Sequence, residues 1–187
     1  MNEIEFKTLK LFQKLAKAVS PPPVLTVSQW ADRYRRLSAE SAAEPGQWNT
    51  DRAPYQREIM DSVNDPLVEE IVIMSSAQVG KTELLLNIIG YYIDYDPAPI
   101  LVVQPTLKPM AEDFSKDRLA PMIRDTPALA RKVRDVKAKS SGNTILHKAF
   151  PGGHVTIAGA NSPSSLASRP VRIVLLDETD RYPPSAG

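Results

Sequence analysis

Apolar residues fall along this chain in short, dense runs separated by longer stretches of helical spacing. Three runs have the length and continuity of strands buried on both faces: Ile71-Val72-Ile73-Met74, Pro99-Ile100-Leu101-Val102-Val103 and Ile173-Val174-Leu175-Leu176. After the first come Leu84, Leu85, Ile88 and Ile89 at helical spacing. After the second comes a helix over roughly 108–124, with Met110, Phe114, Leu119 and Ile123 on its apolar face. Segments 144–146 and 154–158 flank Pro151-Gly152-Gly153 and predict a β-hairpin. Strands alternating with helices predict an α/β fold, a mostly parallel sheet with helices on both faces.

Upstream the pattern is helical. Residues 3–19 predict an amphipathic helix, with Lys7, Lys10, Lys14 and Lys17 on one face and Ile4, Leu11, Phe12, Leu15 and Val19 on the other. That face suits either solvent or a docking partner. Pro21-Pro22-Pro23 is a stiff spacer, which sets residues 1–23 apart as an arm before a domain over 24–187. A second helix is expected to start at Thr26, with Gln29 as capping-box partner and Trp30, Tyr34 and Leu37 along it. A third is entered through Ala53-Pro54-Tyr55-Gln56-Arg57-Glu58-Ile59-Met60.

Composition narrows the classes without naming one. Lys and Arg total 23 against 22 Asp and Glu, so a nucleic-acid partner would have to be met by a local patch. The candidate patch is Arg131, Lys132, Arg134, Lys137, Lys139 and, a little beyond, Lys148; a solvated face is the alternative. The absence of cysteine excludes a disulfide framework and thiolate metal sites. His147 and His154 lack companion ligands at metal spacing and read as structural. With no apolar run near 18 residues and no signal-peptide pattern, the expectation is a soluble, cytosolic protein without a membrane partner.

The chemistry gathers after two of the strands. The first breaks into Ser75-Ser76-Ala77-Gln78-Val79-Gly80-Lys81-Thr82 and then a helix, the context of a phosphate-binding P-loop. Loop N–H groups and the positive end of the helix would cradle phosphates. Lys81 would reach the β/γ oxygens and Thr82 would ligate Mg²⁺. Ser75 stands where the P-loop pattern has glycine, the residue that tolerates positive φ. The third strand ends in Asp177-Glu178, at the carboxyl edge where open sheets bind ligands. Asp177 would hold Mg²⁺, mostly through water, and Glu178 would polarise the attacking water. Gln56, an amide just ahead of the P-loop strand, could read adenine. These residues describe an ATP or GTP hydrolase.

The set Ser28-Gln29-Trp30-Ala31-Asp32, Pro45-Gly46-Gln47-Trp48, Pro54-Tyr55-Gln56, the P-loop, and Leu175-Leu176-Asp177-Glu178-Thr179-Asp180 resembles the large terminase subunit of tailed phages, most like the lambda-type GpA family. The resemblance implies an ATP-driven motor that packages double-stranded DNA into a procapsid in the host cytoplasm. It would work as a homo-oligomeric ring at the portal, with a small terminase subunit as partner of the N-terminal end. It implies that Gln56 reads adenine, that Lys81 and Thr82 are the Walker A pair, and that Asp177 and Glu178 are the Walker B aspartate and catalytic glutamate. Some relatives carry an arginine in the P-loop; Gln78 takes that place here, so Arg169, Arg172 or a neighbouring subunit's arginine becomes the candidate. A coupling motif and a C-terminal nuclease, usual in such subunits, are not expected in these 187 residues, which read as a truncated ATPase segment. A helicase-type ATPase and a non-hydrolysing partner-binding fragment are the other readings.

Overall fold

The computed structural model describes residues 8–10, 12, 24–40, 44–133, 143–167 and 170–185. Residues 8–10 and 12 are helical; the rest of the expected 3–19 helix and the Pro21-Pro22-Pro23 spacer lie outside the described residues.

Helix α1 (Val27–Tyr34) starts where its cap dictates. Thr26 Oγ1 accepts the Gln29 N–H at 3.4 Å and Gln29 Oε1 accepts the Thr26 N–H at 3.1 Å, the reciprocal box read from the sequence. A short antiparallel ribbon follows, β1 (Arg36–Leu37) on β2 (Gly46–Gln47), then α2 (Tyr55–Ser62) and α3 (Lys81–Asp94). Strand β3 (Ile100–Gln104) leads into residues 107–125, where Lys108 is extended (φ −125°) and the chain then winds through a π-helical turn, Phe114–Leu119, into α4 (Ala120–Asp125). After α5 (Pro127–Ala130) come β4 (His147–Phe150), β5 (Gly153–Gly159), the single turn α6 (Pro163–Leu166) and β6 (Ile173–Leu176).

The four main strands lie in the order β4-β5-β3-β6. β3 is parallel to both neighbours, with Val103 opposite Ala158 on one side and Leu176 on the other; β4 is an antiparallel edge. The sheet is therefore mostly parallel, as the apolar runs require. One face, through Ile100, Val102, Val155, Ile157 and Leu175, joins the main core with α1, α3 and the 107–130 helices. The other, through Leu101, Val103 and Ala158, is covered more thinly, by Leu166 of α6, Val171 and Tyr182. Val174 and Leu176, in register with Leu101 and Val103, are more than half exposed on that side. Helices on both faces were expected; the full helical layer lies on one.

Two strand expectations are corrected. The hairpin's first strand is 147–150 rather than 144–146, because Lys148 Nζ binds the Thr144 and Ile145 carbonyls at 2.7 and 3.1 Å and curls that segment into a turn. The 71–74 run forms no strand: Ile73 touches the core, while Ile71, Val72 and Met74 are exposed. Its composition suits a buried strand, but a strand needs a ladder, and none of the described strands pairs with it. No helix among the described residues is long and apolar enough to cross a membrane.

Packing centres on α3, buried around its whole girth from Leu84 through Ile93. Gly90 is what lets α1 approach it: a Cβ there would lie 2.3 Å from Cη2 of Trp30, a side chain with no exposure whose Nε1 donates to Asp94 Oδ2 at 2.8 Å. Gly90→Ala sets two effects against each other. Helix propensity favours alanine by about 1 kcal/mol, whereas overpacking costs about 1–3 kcal/mol. A pinned indole cannot yield as a flexible side-chain end would, so the overpacking cost should win. We expect a lower urea midpoint for Gly90→Ala; an unchanged or higher midpoint would show that the α1–α3 contact yields freely.

Candidate active site

The 75–82 loop sits at the amino end of α3, and its backbone explains its sequence. Positive φ falls at Gln78 (60°) and Gly80 (82°), not at Ser75, so the serine in the first-glycine position meets no conformational demand. Gly80 is needed on a second count. A Cβ there would lie 2.7 Å from Gln56 Nε2. Two side chains of α2 hold the loop: Tyr55 Oη donates to the Val79 carbonyl at 2.8 Å and Gln56 Nε2 to the same oxygen at 3.0 Å. Lys81 Nζ donates to the Ser75 carbonyl at 3.3 Å, folded over its own loop.

Gln56 is 3% exposed, yet its Oε1 accepts no hydrogen bond. A buried acceptor without a donor is costly, and this one lies beside the loop that the sequence assigns to phosphates. It suits a ligand that brings an N–H.

The residue that ends α1 braces the same helix. Arg35, 2% exposed, donates through Nη2 to Glu83 Oε2 and through Nη1 to Asn87 Oδ1, both at 2.7 Å. Burial draws the Arg35 guanidinium below its ordinary value, and Glu83 opposes that shift. Glu83 lies two residues past Lys81, so the brace acts on the first turn of α3.

Across from the loop, β3 and β6 end side by side. Asp177 N–H donates to the Val103 carbonyl at 3.1 Å, continuing the ladder one step, and Tyr182 Oη donates to that same oxygen at 2.8 Å. Gln104 Nε2 donates to Asp177 Oδ2 at 3.0 Å. Burial, then the nearby Glu178 charge, raises the Asp177 carboxyl above its ordinary value, while Gln104 and Lys81 pull it back. Burial and Asp177 push the Tyr182 hydroxyl up to about 12. Glu178 is held in left-handed backbone (φ 49°), a conformation that costs a non-glycine residue about 1–2 kcal/mol. Its Oε2 accepts from Arg181 at 2.7 Å.

Thr82, Gln104, Asp177 and Glu178 line one open cleft of about 640 Å³, together with Met110, Phe114, Arg118 and three further acids, Glu40, Asp113 and Asp117. The structure thus brings together the two predicted halves of the site, Thr82 from the loop and the acidic pair from β6. Gln104, Tyr55, Arg35 and Tyr182 carried no functional reading in the sequence. Gln104 had a usable signal, being the polar residue that ends an apolar strand just as Asp177 does.

Of the other candidates, Arg131 is exposed and three, Arg172, Lys132 and Lys148, are engaged elsewhere. Arg172 stands at the amino end of β6, roughly 15 Å of strand from Asp177, engaged by both Asp96 oxygens at 3.2 and 2.8 Å and stacked over Tyr92. It cannot serve a phosphate at the opposite edge. Arg169 lies outside the described residues, as do Arg134, Lys137 and Lys139. Within the basic patch Lys148 is buried, and Lys132 is bonded to Asp94, so neither offers a free charge to a nucleic acid. His147 and His154 stack at 5.2 Å, and no metal-binding cluster of His, Cys, Asp and Glu occurs among the described residues.

A family model for the ATPase domain of phage terminase large subunit gpA matches residues 42–187, taking in the loop, Gln56 and the acidic pair. The chain belongs to this family. Among terminase relatives it is similar to the large subunit of Enterobacteria phage P21, 33% identical over 171 residues, which cover 91% of this chain and 26% of that protein. It is likewise similar to the large subunit of Escherichia phage lambda, 34% identical over 132 residues, 71% of this chain and 20% of that one. The chain therefore spans about a quarter or less of the terminase large subunits it matches. No solved structure matches it.

Placing Arg172 at the far edge gives a direct check on this terminase domain. Arg172→Gln should leave nucleotide turnover within twofold of the parent and change stability by less than about 1 kcal/mol, as for other exposed ion pairs. A large loss of turnover at unchanged stability would put that arginine back at the phosphates.

Proposed function

We propose that this chain binds Mg²⁺–ATP between the P-loop and the ends of β3 and β6 and hydrolyses it. The observation that carries the reading is the convergence of Thr82, Asp177 and Glu178 on one cleft beside the loop at the amino end of α3. In this reading the 75–82 loop N–H groups and the α3 dipole bind the phosphates. Lys81 leaves the Ser75 carbonyl to meet the β/γ oxygens, and the free Gln56 Oε1 accepts from the adenine amino group. The donor set fits magnesium: one hydroxyl and one carboxylate, with water and phosphate oxygens supplying the rest. Mg²⁺ would be held by Thr82 and Asp177 and would neutralise phosphate charge. Glu178 takes the proton of the attacking water; to do so it must release Arg181.

The family membership supports a place for this unit, residues 24–187, in a viral DNA-packaging motor. There hydrolysis would drive double-stranded DNA into a procapsid, with a ring of copies at the portal and a small terminase subunit as partner, in the host cytoplasm. DNA would be gripped through its backbone charge rather than its sequence.

ATP with Mg²⁺ at about 100-fold over its Kd should stabilise the fold by about 2.7 kcal/mol, a rise in Tm of roughly 5–10 °C for a chain of this size. GTP should give less, because Gln56 is matched to adenine. Lys81→Ala should abolish the rise. Glu178→Gln should keep it and lose at least about 100-fold in turnover. Full stabilisation of Lys81→Ala by ATP would refute the phosphate-binding role of the loop.

A further inference from the structure

Asp177 does not stand alone at the end of β6. Beside it, Gln104 closes β3, the strand flanked on both sides by β5 and β6, so its backbone is fixed by ladders in both directions. Its carbonyl also accepts the Ala160 N–H at 2.8 Å. The side chain is 3% exposed and its Nε2 donates to Asp177 Oδ2 at 3.0 Å, inside the cleft that Thr82 also lines. We propose that Gln104 is a positioning residue for metal–nucleotide binding: its carboxamide fixes the rotation of the Asp177 carboxylate and reserves the remaining oxygen lone pairs for a cation. The proposal rests on the reading of Asp177 as the carboxylate of a Mg²⁺–ATP site.

The chemistry favours an amide in this role. A lysine or arginine at 104 would orient the carboxylate equally well, but its charge would compete with the metal. A second carboxylate would repel the first. A neutral donor on a rigid strand orients Asp177 and leaves its charge for the cation. Partners of this kind, which hold a ligating group without touching the metal, typically change metal affinity by about 10–100-fold when removed. Gln104 acts through Asp177, so its loss should appear in the metal dependence of binding and not in the metal-free affinity for nucleotide.

The test is fluorescence titration of the protein with mant-ATP, first in EDTA and then at increasing Mg²⁺. Gln104→Met keeps the length and bulk of the side chain without the donor. It should bind mant-ATP within twofold of the parent in EDTA, yet need about tenfold or more Mg²⁺ for the same tightening. Gln104→Asn, which retains the carboxamide but is too short to reach Oδ2, should show the same loss. Adding Gln104→Met to Asp177→Asn should change the Mg²⁺ requirement by less than twofold, since the group it orients is already altered. Parent-like Mg²⁺ dependence in Gln104→Met or Gln104→Asn overturns the proposal and leaves the Asp177 site standing. A parent protein that binds mant-ATP with no Mg²⁺-dependent tightening overturns the metal-site reading and this proposal with it. Equal weakening in EDTA and in Mg²⁺ for both variants would make Gln104 a packing residue, and overturns it too.

Discussion

The structure depends on one helix being buried on every side. α3 has no solvent face between Leu84 and Ile93, so its position is set by α1, the Arg35 brace and the sheet together. Its first turn is anchored through Glu83 and Asn87, and the 75–82 loop runs directly into that turn. In the proposed site, where backbone N–H groups would bind phosphate, that anchor matters, because loop dipoles that must reorganise on binding lose much of their effect. The Arg35–Glu83–Asn87 contacts matter for the same reason. A buried ion pair adds little net stability, but it fixes the first turn of the helix that presents the loop.

The second half of the site is built on different physics. Parallel strands put their carboxyl ends at one edge, and β3 and β6 sit side by side there. The next residue of each, once the apolar run is spent, can be polar without entering the core. Gln104 and Asp177 occupy those positions, and their hydrogen bond joins the two strands across the ladder's last rung. Tyr182 closes the same end from the following segment through the Val103 carbonyl. The strained backbone of Glu178, one step further, marks the point where the chain turns away from the sheet.

Much of this was legible in the sequence because local rules sufficed. The capping box at Thr26, the apolar runs of β3 and β6, the glycine before Lys81 and the acids after Leu176 each follow from neighbours a few residues away. What escaped was non-local. Arg35 meets Glu83 across 48 residues, and Gln104 meets Asp177 across 73, distances over which spacing carries no signal. Arg172 misled for a related reason. It is near Asp177 in sequence, yet an extended strand carries it to the opposite edge. Lys148 is the local exception: its ammonium is taken up by carbonyls only three and four residues back, and residue type alone does not distinguish that from surface charge. The 71–74 run shows the limit of composition, since apolar residues make a strand only where a ladder is available.

β6 has consequences beyond its role in holding Asp177. It pairs with β3 alone among the described residues, leaving a row of backbone donors and acceptors along its outer edge, and Val174 and Leu176 project from it more than half exposed. Charged or proline residues usually blunt such an edge; this one is all aliphatic. Such an edge can take up a further strand, from the same polypeptide or from another molecule.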